Sequence, residues 1–395
     1  MSKKKKMAII CSTDYLSWPM GGMMSFIVDI LPYLGKYFDI DLWGVSLSKK
    51  QCYTTIAISD KNYSFHSICT AITGRRKIIP NILRVIMGIE TKLRHIFHGG
   101  YDVLYFHGLP LEIPFLFRKK EGIKIVSHIH GIINPFSASD NSVIGKAILA
   151  FIYKRLRYLV AKKSDLVFVA SDNNAYNNFV STFSPTDRPK IKKIHNFANP
   201  TIFLPMDKSG VRYEMNLPND IVLLIYTGRL SPQKDPLLLL KVFKEVKSLS
   251  KDMVKLVIVG DGPLFSTIEQ LVFSSKLEND VKLVGARSRN EVAKWLNAAD
   301  VFVFTSLGEG SPLSLIEALM CGLPIVATNV SGLDDIVIDG HTGFIVKSRS
   351  PTEIAVKVLD AIKNIAKMRN GCIEHSKKFR PQTAADMIAR NILAL

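Results

Sequence analysis

Two Rossmann-like α/β domains facing a central cleft are what this sequence predicts, on three observations. Short β-branched and apolar runs alternate with longer segments of helical period along the chain, the pattern of parallel βαβ units. The length, 395 residues, suits two domains at about 100–200 residues each. The alternation breaks at Asn196-Phe197-Ala198-Asn199-Pro200, followed by Pro205, Gly210 and Pro218, a turn-rich interval suited to an interdomain linker.

In the first domain, 1–200, strands are expected at 7–11, 40–45, 103–107, 124–129 and 166–170. In the second, 201–376, they are expected at 221–226, 255–259, 281–284, 301–305 and 325–327. An internal echo points to duplicated architecture: Ser164-Asp165-Leu166-Val167-Phe168-Val169-Ala170-Ser171 resembles Ala299-Asp300-Val301-Phe302-Val303-Phe304-Thr305-Ser306. Each copy ends a strand on a hydroxyl at its carboxyl end, where ligands gather in open α/β sheets.

The chain is 47% hydrophobic, but no run of 18 apolar residues occurs, and Lys146, Lys154 and Lys162 interrupt the most apolar stretch of the first half. A transmembrane helix is therefore not expected. Lys3 to Lys6 before Met7-Ala8-Ile9-Ile10-Cys11 faintly resembles a signal peptide, but the apolar part stops at Asp14, so it reads as charge ahead of a buried first strand. The five cysteines are scattered and never spaced as Cys-x-x-Cys, which fits a reducing cytosol and no zinc or disulfide framework. Of the net charge of +18, residues 1–200 hold 28 Lys and Arg against 13 Asp and Glu, and residues 201–395 hold 24 against 21. A basic first half suits nucleic acid, an anionic membrane surface or a phosphorylated substrate alike, and the asymmetry alone does not choose among them. No nucleic-acid-binding module is present, so nucleic acid is not expected as a partner.

The most specific segment runs from Ser306 to Gly322. Ser311 is a good N-cap, Pro312 fits the first helical position and Gly322 suits the residue after the helix. The amino end of that helix would offer N–H groups of Leu313 and Ser314, and a positive dipole end, to a pyrophosphate. Glu309 and Glu317, eight positions apart, are hydrogen-bond acceptors suited to polyols. A second constellation, Thr227-Gly228-Arg229-Leu230-Ser231-Pro232-Gln233-Lys234, follows a strand and places two cations to neutralise a departing diphosphate. Alone, such a pair is as often a solvated surface charge. Gly21-Gly22, before the apolar pattern 23–34, would let a phosphate approach a helix end, or simply form a flexible loop. His107 and His130 end strands; each lines a cleft or is a satisfied half-buried imidazole, with His128 deeper on the same face as His130. Gly260-Asp261-Gly262-Pro263 lacks the third glycine of a dinucleotide fingerprint. Asp39-Ile40-Asp41 resembles an Asp-x-Asp metal site but lies at the wrong end of its strand, so no metal site is expected.

In order, Gly228-Arg229 with Lys234, Gly260-Asp261-Gly262-Pro263, Gly285, Ala299-Asp300, Glu309 with Glu317, and Gly322-Leu323-Pro324 resemble glycosyltransferase family 4, whose members have the two-domain GT-B fold. The likeness is strongest over 221–346 and looser in the first half, at Gly21-Gly22, His130 and Asn196 followed by Phe203. Phe197-Ala198-Asn199 stands where members often have Gly-Val-Asp. The resemblance implies a retaining, metal-independent hexosyltransferase without a cofactor, using a nucleotide diphosphate-sugar, UDP-linked as the first choice. The acceptor would be a saccharide or lipid-linked saccharide, in bacterial surface polysaccharide or lipopolysaccharide assembly. It also implies a cytoplasmic protein, with peripheral contact at the membrane's inner face. Arg229 and Lys234 would stabilise the diphosphate with Gly228 and the Gly310–Ser314 segment, where Gly310, Ser311, Leu313 and Ser314 supply backbone donors around Pro312. Glu309 would hold sugar hydroxyls, Glu317 the ribose, His130 the donor sugar near the reacting carbon, and Gly21-Gly22 a phosphate. Residues 377–395 would return as a helix to the first domain. The competing readings are an epimerase or phosphorylase of the same fold, and a non-catalytic basic scaffold.

Overall fold

The computed structural model describes residues 3–12, 22–46, 53–58, 61–70, 81–108, 111–118, 121–130, 143–170, 173–309 and 312–395. Two compact units divide the chain, Met1–His195 with Pro381–Leu395, and Asn196–Arg380.

The first unit runs β1 (Lys5–Cys11), α1 (Gly22–Leu34), β2 (Phe38–Ser46), β3 (Tyr53–Ile58), β4 (Lys61–Thr70), α2 (Asn81–His98), β5 (Val103–His107), α3 (Ile113–Leu116), β6 (Lys124–His130), α4 (Val143–Lys163), β7 (Leu166–Ala170), α5 (Asn173–Ser181) and β8 (Ile191–Ile194). Its sheet has the order β3-β4-β2-β1-β5-β6-β7-β8. All pairings are parallel except β3 with β4.

The second unit runs α6 (Lys208–Glu214), β9 (Val222–Thr227), α7 (Pro236–Leu249), β10 (Val254–Val259), α8 (Phe265–Ser274), β11 (Val281–Gly285), α9 (Arg289–Ala298), β12 (Val301–Phe304), α10 (Leu313–Met320), β13 (Ile325–Thr328), β14 (Gly343–Val346), α11 (Pro351–Lys363) and α12 (Ile365–Ser376). Its six strands are parallel in the order β11-β10-β9-β12-β13-β14. The chain then re-enters the first unit as α13 (Pro381–Leu393), which packs on α1. Tyr37 Oη donates to Asp386 at 2.8 Å and Lys36 Nζ to Gln382 at 3.1 Å, anchoring that return.

Both faces of the second sheet are buried, because alternate strand residues point opposite ways. Phe302 and Phe304 pack with Leu296 and Leu319, while Val301 and Val303 pack with Phe243 and Val358. The parallel core strands are hence the continuous apolar runs that the sequence displays. Four strands lie outside those runs. Of these, β8 reads Ile-Lys-Lys-Ile at a sheet edge, with its two lysines half-buried between buried isoleucines, and β3–β4 form an antiparallel extension in which exposed and buried residues mix.

The echo around Asp165 and Asp300 has a physical cause. Asp165 N donates to Ile125 O at 2.9 Å, and its Oδ2 accepts from Ile125 N at 2.8 Å. Asp300 repeats this ring with Leu223, at 2.8 and 2.7 Å. Asp102 forms a third copy with Lys6, at 2.9 and 2.7 Å. Each aspartate satisfies the N–H of the second residue of the adjacent strand, pairing a buried backbone donor at the strand's start. Asp300 also binds the buried guanidinium of Arg212, Nη2 to Oδ2 2.7 Å, while Arg212 donates to the carbonyls of Ala298, Pro218, Asn219 and Ile221.

Asp41 of the Asp-x-Asp segment is a structural acid. It accepts from Tyr101 Oη at 2.7 Å and pairs with Lys6 at 3.1 Å and His66 at 3.6 Å. Burial works to raise its pKa, but hydrogen bonds from His66, Tyr101 and Lys6 prevail and hold it at about 2. The folded value lies below the unfolded one, so its stabilisation is complete above about pH 4 and disappears as pH falls through about 2. Asp41→Asn is expected to lose about 2 kcal/mol at neutral pH. Urea unfolding across pH should show the gap from wild type closing between about pH 4 and 2; a gap independent of pH would refute the assignment.

Candidate active site

The second sheet reverses its strand order between β9 and β12, and at such a switch point the loops diverge to leave a crevice at the carboxyl ends. Gly228, Arg229 and Lys234 lie on the loop after β9, and Glu309 lies on the loop after β12. Gly228 N donates to Val259 O at 3.0 Å, and a Cβ on Gly260 would sit 1.9 Å from Gly228 O. The Gly260-Asp261-Gly262-Pro263 segment therefore uses glycine to bring two backbones together, here against the Arg229 loop.

Past Leu230 the chain makes a 3-10 turn, Pro232–Lys234, and Asp235 takes a left-handed conformation with φ 45°. Its carboxylate accepts from Leu238 N at 3.1 Å, capping α7, and receives Arg349 Nη2 at 2.6 Å. A non-glycine residue there is strained, and the cap with the ion pair offsets that strain. Arg349 also donates to Ser306 O at 3.0 Å and Thr305 O at 2.9 Å. Thr305 Oγ1 donates to Asp235 O at 2.9 Å, and Leu307 N to Gln233 O at 2.7 Å. The loops after β9 and β12 are thus tied by backbone and side-chain bonds.

These ties bring Lys234 and Glu309, 75 residues apart, into an ion pair. Ser306 Oγ stands 2.6 Å from Glu309 Oε1, its shortest contact and so the best acceptor for its one proton. Glu309 is only 7% exposed. Arg229, by contrast, is exposed, and its guanidinium has no ion-pair partner among the described residues. Tyr226, buried beneath with its Oη 3.3 Å from Arg229 O, has its pKa raised by burial and by the Glu309 charge, and stays a neutral donor.

The helix of the Ser306–Gly322 segment starts one residue later than expected. Leu313 is its first residue and Pro312, with ψ 110°, is the N-cap. That extended ψ carries the chain in from the loop, so proline acts as the boundary residue instead of the first helical one. Gly310, Ser311 and Gly21 lie outside the described residues. The first-turn N–H groups of Leu313 and Ser314 have no intrahelical acceptor. At the far end Gly322 has φ 76°, with its N–H bonded to Leu319 O and that of Leu323 to Ala318 O, a Schellman stop. Glu317 lies half-buried on α10, near enough to Cys321 for its charge to help raise that thiol after burial does.

In the first unit, Gly22 opens α1 and His130 ends β6. Phe26, one turn along α1, meets the ring of His130 edge-on at 5.3 Å between centroids, and those of His128 at 4.6 Å and His107 at 5.8 Å. His107 Nδ1 and His130 Nε2 are 2.9 Å apart, and Tyr105 Oη is 2.8 Å from His128 Nδ1. Burial lowers the pKa of all three imidazoles, to about 3 for His130 and well below the ordinary value for His107 and His128. His130 is a neutral ring at physiological pH, able to hydrogen-bond a ligand but a poor proton acceptor.

Of the residues singled out in the sequence, the structure brings Lys234 and Glu309 into contact and places Arg229 on the same loop, while Glu317 lies farther along α10 by Cys321. Sequence reasoning missed Ser306 as the partner of Glu309, and Arg349, Thr305 and Asp235 as the framework. Arg349 carries no local motif; only the fold brings it back.

The sequence profile described as "Glycosyl transferases group 1" matches residues 211–379. D-inositol 3-phosphate glycosyltransferase 2 of Catenulispora acidiphila is 31% identical over 74% of this chain and 72% of its own length. This chain belongs to the group 1 glycosyl transferases. It is also 26% identical to N-acetyl-alpha-D-glucosaminyl L-malate synthase of Bacillus anthracis, over 79% of this chain and 83% of that one. The match to D-inositol 3-phosphate glycosyltransferase of Nocardioides, 25% identical over 71% of this chain, spans 64% of that relative's length. Among solved structures, sucrose-phosphate synthase from Thermosynechococcus elongatus aligns with a TM-score of 0.76 at 20% identity, covering 99% of this group 1 chain and 100% of that one. Anabaena HepE in complex with UDP and glucose aligns at 0.71 and 18%, covering 99% and 100%. At such identities the likeness is one of fold, the GT-B fold of two parallel-sheet domains with C-terminal helices.

Proposed function

We propose that this chain transfers a hexosyl group, with retention of anomeric configuration, from a nucleotide diphosphate-sugar to a saccharide or lipid-linked acceptor. The observation that carries the reading is the Lys234–Glu309 pair at the β9/β12 switch point, with the exposed Arg229 on the same loop as Lys234. Arg229 presents a planar fork to the diphosphate. Lys234 adds a second cation, which Glu309 already holds in place. The N–H groups at the start of α10 complete an anion site with the positive end of the helix. These fixed charges stabilise the negative charge that builds on the leaving diphosphate without a divalent ion. Glu309 accepts from sugar hydroxyls and Glu317 from the ribose. His130 meets the donor sugar as a neutral hydrogen-bonding ring and Gly22 borders a phosphate; the family resemblance assigns both roles. UDP is the first choice of base, since the related fold of HepE holds UDP and glucose. Relatives named for inositol 3-phosphate and for malate have anionic acceptors, which suits the basic first half.

Surface polysaccharide or lipopolysaccharide assembly would place the enzyme on the inner face of the cytoplasmic membrane. No described helix is long and apolar enough to cross a membrane. On α4, however, Phe151, Ile152 and Tyr158 are exposed alongside Lys154, Arg155, Lys162 and Lys163. Arg155 lies over the Phe151 ring, 5.1 Å from its centroid. Exposed aromatic rings among cations suit the headgroup region of an anionic bilayer.

Arg229→Ala and Lys234→Ala should each lower kcat roughly 10²–10³-fold, read as release of UDP from UDP-sugars. Arg229→Ala should keep the wild-type melting temperature, whereas Lys234→Ala strips the cation from a buried carboxylate and should melt earlier. Normal turnover in both variants, or turnover requiring added Mg2+ or Mn2+, would sink the mechanism.

Glu317→Gln should raise the donor KM more than it lowers kcat, because ribose contacts are equal in ground and transition states. Glu309→Gln should lower kcat, since it touches the sugar that changes. Matching kinetic profiles would show the two roles to be misassigned.

Co-sedimentation should show binding to vesicles rich in phosphatidylglycerol and little to neutral ones. Binding should fall as salt shortens the Debye length from about 10 Å at 0.1 M to about 3 Å at 1 M. Equal binding to both lipids would reject the electrostatic account.

A further inference from the structure

We infer that Arg349 is a positioning residue for glycosyl transfer, one that sets the Lys234–Glu309 pair without itself meeting substrate. The inference deepens the transfer proposed above and rests on it for its kinetic readouts. Arg349 lies between the end of β14 and Ser350, the N-cap of α11, whose side chain accepts from Glu353 N. α11 packs on α7 and β13 through a buried cluster that includes Val242, Phe243, Ile354 and Val358. The arginine thus projects from a fixed junction.

Its guanidinium spans both loops of the site. Nη2 donates to the Asp235 carboxylate at 2.6 Å and to Thr305 O at 2.9 Å, and Nη1 donates to Ser306 O at 3.0 Å. Asp235 is the residue after Lys234, and Thr305 and Ser306 open the loop that carries Glu309. One planar group therefore grips the neighbour of each charged partner.

Two observations make this bridge more than a surface ion pair. Asp235 holds φ 45° and ψ 61°, the left-handed region in which a side chain is strained. Losing the ion pair removes one of the contacts that offset the strain, and relaxation of Asp235 turns the Lys234 side chain just before it. Ser306, whose carbonyl Arg349 holds together with Thr328 Oγ1, places its own Oγ 2.6 Å from Glu309. The residue that Arg349 grips is the one that orients the carboxylate. The bonds from Leu307 N to Gln233 O and from Thr305 Oγ1 to Asp235 O do not involve Arg349 and survive its loss. The consequence is a small displacement of the pair and not collapse of the site. A misplacement of about 1 Å costs on the order of 10²-fold in rate, so a smaller one costs about tenfold. Donor binding in the ground state is spared, because the bonds of Arg349 go to none of Arg229, Leu313 and Ser314.

Arg349→Ala should lower kcat about tenfold and change the donor KM less than about twofold. Arg349→Lys separates position from folding. Its ammonium can pair with Asp235 but cannot also reach both carbonyls in the directions of a planar fork, so the melting temperature should stay near wild type while kcat stays about fivefold or more below it. Position is also readable without turnover. The coupling of Lys234 with Glu309, taken from urea unfolding of Lys234→Ala, Glu309→Gln and the double variant, should fall to roughly half or less when Arg349→Ala is added. Where Arg349→Ala does not fold, Arg349→Lys serves as the background. Wild-type kcat in either Arg349 variant, a loss confined to KM, or coupling that is absent from the wild-type chain or undiminished in the Arg349 variant would overturn the proposal. Should the wild-type chain release no UDP from any UDP-sugar, the transfer reading fails and the coupling alone decides whether Arg349 sets the pair.

Discussion

Arg349 holds together two loops that the sheet topology drives apart. At the β9/β12 switch point the connections run to opposite sides, and nothing in a parallel ladder fixes the spacing of the loops beyond the strand ends. Arg349 reaches from the segment after β14 to the carbonyls of Thr305 and Ser306 and the carboxylate of Asp235. Its planar fork can meet three acceptors in fixed directions, which a lysine's point charge cannot. Asp235 in turn caps α7 from a strained backbone. The geometry that joins Lys234 to Glu309 therefore rests on a residue that touches neither.

The consequence for chemistry lies in how charge is distributed. Lys234 and Glu309 neutralise each other in a largely buried position, where either charge alone would be strongly disfavoured. Arg229 remains exposed. Among the described residues, the loops after β9 and β12 thus present one unpaired cation, Arg229, and the start of α10 adds free N–H groups, while Lys234 is held in an ion pair. In the proposed transfer, an anionic diphosphate would let Lys234 share its three donors between carboxylate and phosphate. Little reorganisation is required, and fixed dipoles that need not reorganise contribute most to transition-state stabilisation.

Legibility in the sequence followed the reach of each interaction. Ten core strands were readable because burial on both faces writes them as unbroken apolar runs, as in Val103–His107 and Leu166–Ala170. The edge strand β8 and the β3–β4 extension were not, since half-buried lysines in β8 and exposed polar residues in β4 break the apolar run and the pattern dissolves into the polar background. The aspartate before β7 and before β12 showed up as an echo, but its third copy at Asp102 did not, because only the position and not the surrounding sequence repeats. In the candidate site the glycines, the cations and both glutamates stood out by local context. The pairing of Lys234 with Glu309, and the tie through Arg349, depend on chain crossings that no local window contains.

The three buried histidines show the same limit from the other side. Each was legible as a strand-end residue, and His128 as the deeper one on its face, yet their convergence depends on the β5/β6 register, which pairs His107 with His128. A slip of one residue would turn His107 to the opposite face. Burial makes all three neutral, so they add nothing to the positive field of the first half despite their number. That field comes from lysines and arginines on helix surfaces such as α4, where it extends a Debye length into solvent. The imidazoles act only at contact. In the proposed transfer, attraction and recognition would thereby fall to different residues, and a change in the surface cations would leave the rings behind Phe26 undisturbed.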